Sequence, residues 1–67
     1  ERFWILLENH DKDLEVSQIL AKYPGNISVI IRYQGSKETI VSQRYRVAKN
    51  EELNQELAPY VLKTVLR

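Results

Sequence analysis

A chain of 67 residues with ten basic and nine acidic side chains, one histidine and no cysteine makes one small domain, 1–67, without disulfides or thiolate metal sites. At this length folding buries only about 60% of the surface exposed by the unfolded chain, so the core is small and stability modest. A net charge of +1 gives no overall pull toward nucleic acid or membrane, and no apolar run approaches the roughly 18–20 residues that span a bilayer. The chain begins with Glu1-Arg2 directly ahead of a strand, with no initiating Met and no signal-peptide pattern. The expectation is a piece cut from a longer, cytoplasmic protein.

The first predicted element is a strand over residues 2–7. Phe3, Ile5 and Leu7 share one face, and Arg2, Trp4 and Leu6 the other. A polar connection follows, with Asp11 or Asp13 as the expected N-cap of a helix over 12–22. Val16, Ile19, Leu20 and Tyr23 fall on one helical stripe, with Leu14 off it. Pro24 disfavours helical geometry at Tyr23, and Gly25 is expected to take the positive φ of a helix stop.

Residues 27–31 hold four β-branched aliphatics, so a second strand is predicted over 27–33. A third is predicted over 38–47, with Val41, Tyr45 and Val47 inward and Ile40, Ser42, Arg44 and Arg46 outward. A two-residue Gly35-Ser36 turn would pair Ile31 with Ile40 and place Val41 on the wrong face. The expectation is therefore a three-residue loop that pairs Ile31 with Val41, or a bulge in the third strand. Asn50 is the expected N-cap of a short helix carrying Leu53 and Leu57, ended by Pro59. A last strand over 61–66 completes an α+β fold of order β-α-β-β-α-β. Right-handed crossovers favour a ferredoxin-like, split βαβ sheet with both helices on one face. The opposite face would carry Trp4, Leu6, Ile30, Arg32, Ile40, Arg44 and Arg46.

Catalytic chemistry is not expected. A metal site would have to combine His10 with Glu8, Asp11 and Asp13, which helix capping already accounts for. No Ser/His/Asp or lysine nucleophile set is present, and two isolated glycines make no phosphate-cradling loop. No catalytic, metal or cofactor residue is assigned, and no cofactor or small-molecule ligand is expected. Between Arg32 and Lys49 five basic residues stand against one acidic. A four-stranded sheet presenting Trp and Arg can bind single-stranded nucleic acid. The third strand, however, lacks the Lys/Arg-Gly-aromatic pattern of RNA-recognition sheets, and arginine stems also cover an apolar face or protect an edge strand.

The pattern Leu14-x-x-x-x-Ile19-Leu20-x-x-Tyr23-Pro24-Gly25-Asn26-Ile27-x-Val29 resembles a stretch near the carboxyl end of the bacterial DNA polymerase III alpha subunit, the DnaE-type replicative polymerase. Tyr45-Arg46-Val47 matches that family's Arg-Val strand end, Glu52-Leu53-x-x-Glu56-Leu57 its Glu-Leu-x-x-Glu-Leu helix, and Val65-Leu66-Arg67 its final strand. Ala58-Pro59-Tyr60 stands where the family often has a glycine-containing loop.

The resemblance implies a parent DNA-directed DNA polymerase, a nucleotidyltransferase of DNA replication. Its catalytic carboxylates lie far upstream, so this piece would itself be non-catalytic. It also implies protein docking toward the clamp loader's tau subunit, with Trp4, Arg32, Arg44 and Arg46 as candidate partner-binding residues. DNA would be reached through the parent polymerase, and no membrane is involved. An ACT-like small-molecule regulatory module, which shares the element order, and a single-stranded nucleic-acid binder are the alternatives.

Overall fold

The structure, a computed structural model, describes residues 1–42 and 45–67. In chain order it has β1 (Arg2–Leu7), a 3-10 turn (His10–Lys12), α1 (Asp13–Lys22), β2 (Pro24–Tyr33), β3 (Thr39–Val47), α2 (Glu51–Leu57) and β4 (Lys63–Leu66). The four strands form one sheet in the order β3-β2-β1-β4. β1 and β2 are parallel, and the two flanking pairs are antiparallel. The α+β class is as expected.

The split βαβ order is not the one adopted. A ferredoxin-like sheet would seat β3 beside β1 and send β2 to the edge, whereas here β1 pairs directly with β2. Side-chain character explains the choice. β2 holds the aliphatic run Ile27, Val29, Ile30 and Ile31 and takes a central place. β3, with Thr39, Ser42 and Arg46, takes an edge, where polar and charged residues discourage further strand pairing.

The core lies between the sheet and both helices. Phe3, Ile5 and Leu7 of β1, Val29 and Tyr33 of β2 and Val47 of β3 are buried against Val16, Ile19 and Leu20 of α1 and Leu53 and Leu57 of α2. The stripe predicted on the first helix is thus the one that packs. The caps differ in part. Asn9, not Asp11 or Asp13, accepts from the Asp11 N–H at 2.9 Å and starts the 3-10 turn, and α1 then follows Lys12 without a side-chain cap. Asn50 caps α2 as expected, accepting from the Glu52 N–H at 2.8 Å.

The Pro-Gly stop also works differently from the expectation. No glycine has a positive φ. Tyr23 closes α1 outside the helical region (φ −125°, ψ 63°) and the chain enters β2 at Pro24. Pro24 and Ile27 both oppose Val47, so the start of β2 carries an irregularity containing Gly25 and Asn26. A Cβ on Gly25 would lie 2.5 Å from the Val47 carbonyl carbon and oxygen, so glycine is required there by close backbone approach.

The hairpin loop has neither two nor three residues. Gln34, Gly35, Ser36 and Lys37 form it, closed by the Tyr33 N–H donating to the Glu38 carbonyl at 2.8 Å, with Lys37 in the left-handed region (φ 59°). It is anchored sideways as well: Gln34 and Gly35 donate to the carbonyls of Leu7 and Glu8. A four-residue loop has the parity of a two-residue one, so Ile31 opposes Ile40 and Ile30 opposes Val41. Ile40 and Val41 therefore occupy the faces opposite to those expected.

The alternative expectation, a bulge in β3, is what restores the inward residues. Pairing steps from Val29–Ser42 to Ser28–Arg46, and Val47 then sits buried opposite Ile27 with Tyr45 packed at the core's margin. The Ser42 Oγ accepts from the Tyr45 N–H at 3.1 Å and fastens the bulge.

Candidate interaction face

With both helices on one side, the other side of the sheet is uncovered. The strand register places Arg2, Trp4 and Leu6 of β1 beside Ser28, Ile30 and Arg32 of β2. Thr39, Val41 and Arg46 of β3 flank them on one side, and Lys63 and Val65 of β4 on the other. Among the described residues no acidic side chain stands at a paired position of this face, while the basic Arg2, Arg32, Arg46 and Lys63 do.

Arg67 adds a fifth cation. Its backbone exchanges two hydrogen bonds with Arg2, at 2.7 and 3.0 Å, and its guanidinium lies 5.3 Å from the centre of the Trp4 ring. That distance is within cation–π range. Trp4, Leu6, Arg32, Gln34, Lys37, Lys63, Val65 and Arg67 line an open cleft of about 620 Å³. Among the described residues none of Arg32, Lys37, Lys63 and Arg67 forms a salt bridge; the ion pairs involve His10 and Lys22 instead. Ile30 is only 4% exposed although neither helix covers this face, so neighbouring side chains shelter the apolar floor.

Trp4 and Arg32 are thus brought together as expected from sequence. Arg46 shares their face but stands opposite Ser28, outside the cleft lining. Arg44 lies outside the described residues. Ile40 belongs to the helix-facing side, opposite Ile31, and Val41 takes the position expected of it. Lys37, Lys63, Val65 and Arg67 were not anticipated. The last strand alternates Lys63, Val65, Arg67 with Thr64, Leu66, and each set holds an aliphatic, so pattern alone does not say which faces out.

The acidic residues gather elsewhere. His10 Nδ1 lies 2.7 Å from Asp13 Oδ2, its Nε2 lies 3.6 Å from Glu38, and its ring stacks on Tyr33 with centroids 3.9 Å apart. The Tyr33 hydroxyl donates to Asp13 Oδ1 at 2.7 Å. The hydrogen bond to Asp13, aided by Glu38, raises the His10 pKa; burial and the Asp13 hydrogen bond raise that of Tyr33. Across the helices, Glu56 accepts from the Tyr23 hydroxyl and pairs with Lys22 at 3.0 Å. The Tyr23 phenol is thereby pushed up to about 12, and the Glu56 carboxyl is held below its usual range. Among the described residues no group of three or more His, Cys, Asp and Glu is placed to hold a metal ion, and no helix is long and apolar enough to cross a membrane.

No family model matches the chain, and no solved structure matches it. Curated relatives do. The chain is 45% identical over all 67 residues to the DNA polymerase III subunit alpha of Streptococcus pyogenes, and equally to those of its serotype M1 and of its serotype M18 strain MGAS8232. It spans 100% of itself and only 6% of each of those proteins. The resemblance read from the Tyr23-Pro24-Gly25 turn and the strands and helix after it is borne out: over its whole length this chain is similar to a small segment of the DNA polymerase III alpha subunit of Streptococcus pyogenes.

Proposed function

We propose that this chain is a non-catalytic module of a replicative DNA polymerase III alpha subunit and docks a protein of the replisome through its uncovered sheet face, the clamp loader's tau subunit being the leading partner. The observation that carries the reading is the cleft beside Trp4, where an apolar floor of Leu6 and Val65 is rimmed by Arg32, Lys37, Lys63 and Arg67. Apolar centres with a polar rim, anchored by Trp and Arg, are how protein interfaces concentrate binding energy. The parent's nucleotidyl transfer to DNA belongs to other parts of that polymerase in this reading.

A small-molecule regulatory module is less well supported, because that analogy assumed a ferredoxin-like strand order and β1 here pairs with β2. Single-stranded nucleic acid needs an open aromatic face for stacking, and Arg67 already lies over the Trp4 ring. The docking reading is tested by calorimetry with the tau subunit. The double variant Arg32→Ala, Lys63→Ala should bind at least about tenfold more weakly, while Leu14→Ser, on α1 and 66% exposed, should bind as wild type. Equal affinity of the double variant, with unchanged circular dichroism, would remove the face from the account.

A further inference from the structure

The uncovered face and the rest of the molecule carry opposite charge. On the face, Arg2, Arg32, Arg46 and Lys63 occupy paired positions and Arg67 joins them, with no carboxylate among those positions. On the helical side, Asp13, Glu15, Glu51, Glu52 and Glu56 lie within the two helices. A net charge of +1 conceals this division. Cations left without ion pairs around an apolar floor are complementary to a ligand bearing carboxylates and aliphatic groups together.

From this we propose that the segment held by the face is an acidic, aliphatic peptide stretch of its protein partner. Its carboxylates would meet Arg32, Lys63 and Arg67 around an apolar side chain seated on Leu6 and Val65. The inference rests on the docking reading above and adds the chemistry of the partner. The same charge division sets orientation, since the carboxylates along α1 and α2 repel such a segment from the opposite side. The Trp4 ring serves as an apolar wall under the Arg67 guanidinium. A guanidinium held there keeps its edge free to receive a carboxylate.

The test uses three probes and the 67-residue chain, followed by Trp4 fluorescence and amide shifts. One probe is a short peptide alternating Glu and Leu, the second its Gln/Leu counterpart, and the third a short oligo-dT. The Glu/Leu peptide should bind at the face, the Gln/Leu peptide at least about fivefold more weakly, and raising salt from about 0.05 to 0.3 M should weaken the former severalfold. Lys63→Glu, on an exposed edge-strand position, should cost about fivefold or more, and Arg32→Glu gives an independent second reading. Equal binding of the two peptides at the face would overturn the acidic chemistry while leaving docking intact. Tighter binding of oligo-dT would replace the peptide with single-stranded nucleic acid. Absence of any Glu/Leu binding would end the proposal.

Discussion

Replacing Gly25 by alanine separates two explanations for a glycine after a helix, because they differ in sign. The residue has no positive φ, so alanine meets no backbone strain. Were there open space around it, the lost freedom of the unfolded chain would stabilise the variant by about 0.4–1 kcal/mol. The new Cβ would instead lie 2.5 Å from the Val47 carbonyl carbon and oxygen, against main chain that has no flexible side chain to yield. Overpacking of this kind costs about 1–3 kcal/mol. The end of β3 would have to move away, straining the hydrogen bond from the Ala48 N–H to the Tyr23 carbonyl at 3.0 Å.

A chain of this length has a total stability of about 3–10 kcal/mol, so the variant loses a sizeable share of it. With a urea dependence of about 1 kcal/mol per molar, the unfolding midpoint, followed by circular dichroism, should fall by about 1–3 M. Gly25→Asn should be at least as costly as Gly25→Ala. Alanine at or above wild-type stability would refute the close approach. Asparagine clearly milder than alanine would restore a left-handed helix stop, which Asn tolerates and Ala does not.

Leu57, fully buried between α2 and the sheet, should cost about 2–5 kcal/mol when cut to alanine, enough to leave the chain marginal in urea titration. Ser42→Ala should cost about 1 kcal/mol, since the Tyr45 N–H loses the Oγ that fastens the bulge. The His10 pKa is raised above 6.5 by Asp13 and Glu38. Its contribution to stability is therefore complete below pH 6.5 and fades as pH rises through the folded-state value. Asp13→Asn should move the imidazole midpoint, read by NMR, back toward 6.5. Glu56 runs the other way: its pKa lies below 4.5, so its contribution is present above that pH and is lost as pH falls through the folded value. Glu56→Gln should bring the Tyr23 absorbance titration down from about 12 toward 10.

Local elements were legible because each depends on residues close in sequence. Alternation in β1, the Val16–Ile19–Leu20 stripe and the Asn50 cap all formed as read. Strand order was not legible from element order alone, because β-α-β-β-α-β fits more than one sheet. The aliphatic richness of β2 against the polar composition of β3 was the available signal for which strand sits centrally. Register failed at the loop because Lys37 adopts a positive φ, a conformation that lysine does not advertise. One added loop residue then exchanged the faces of Ile40 and Val41, and only the bulge at Ser42 returned Tyr45 and Val47 to the core side. The candidate face was half legible. Trp4 and Arg32 came from strand parity, whereas Lys63 and Arg67 joined them only once β4 paired with β1.

The central claim is that the sheet side without helices is where this segment meets its partner. The most direct measurement is an amide-shift map of the isotope-labelled chain during titration with the clamp loader's tau subunit. The account predicts saturable shifts at Trp4, Leu6, Arg32, Lys63 and Val65, with α1 and α2 largely unmoved. Shifts confined to α1 and α2, or a spectrum unaltered at saturating partner, would contradict it.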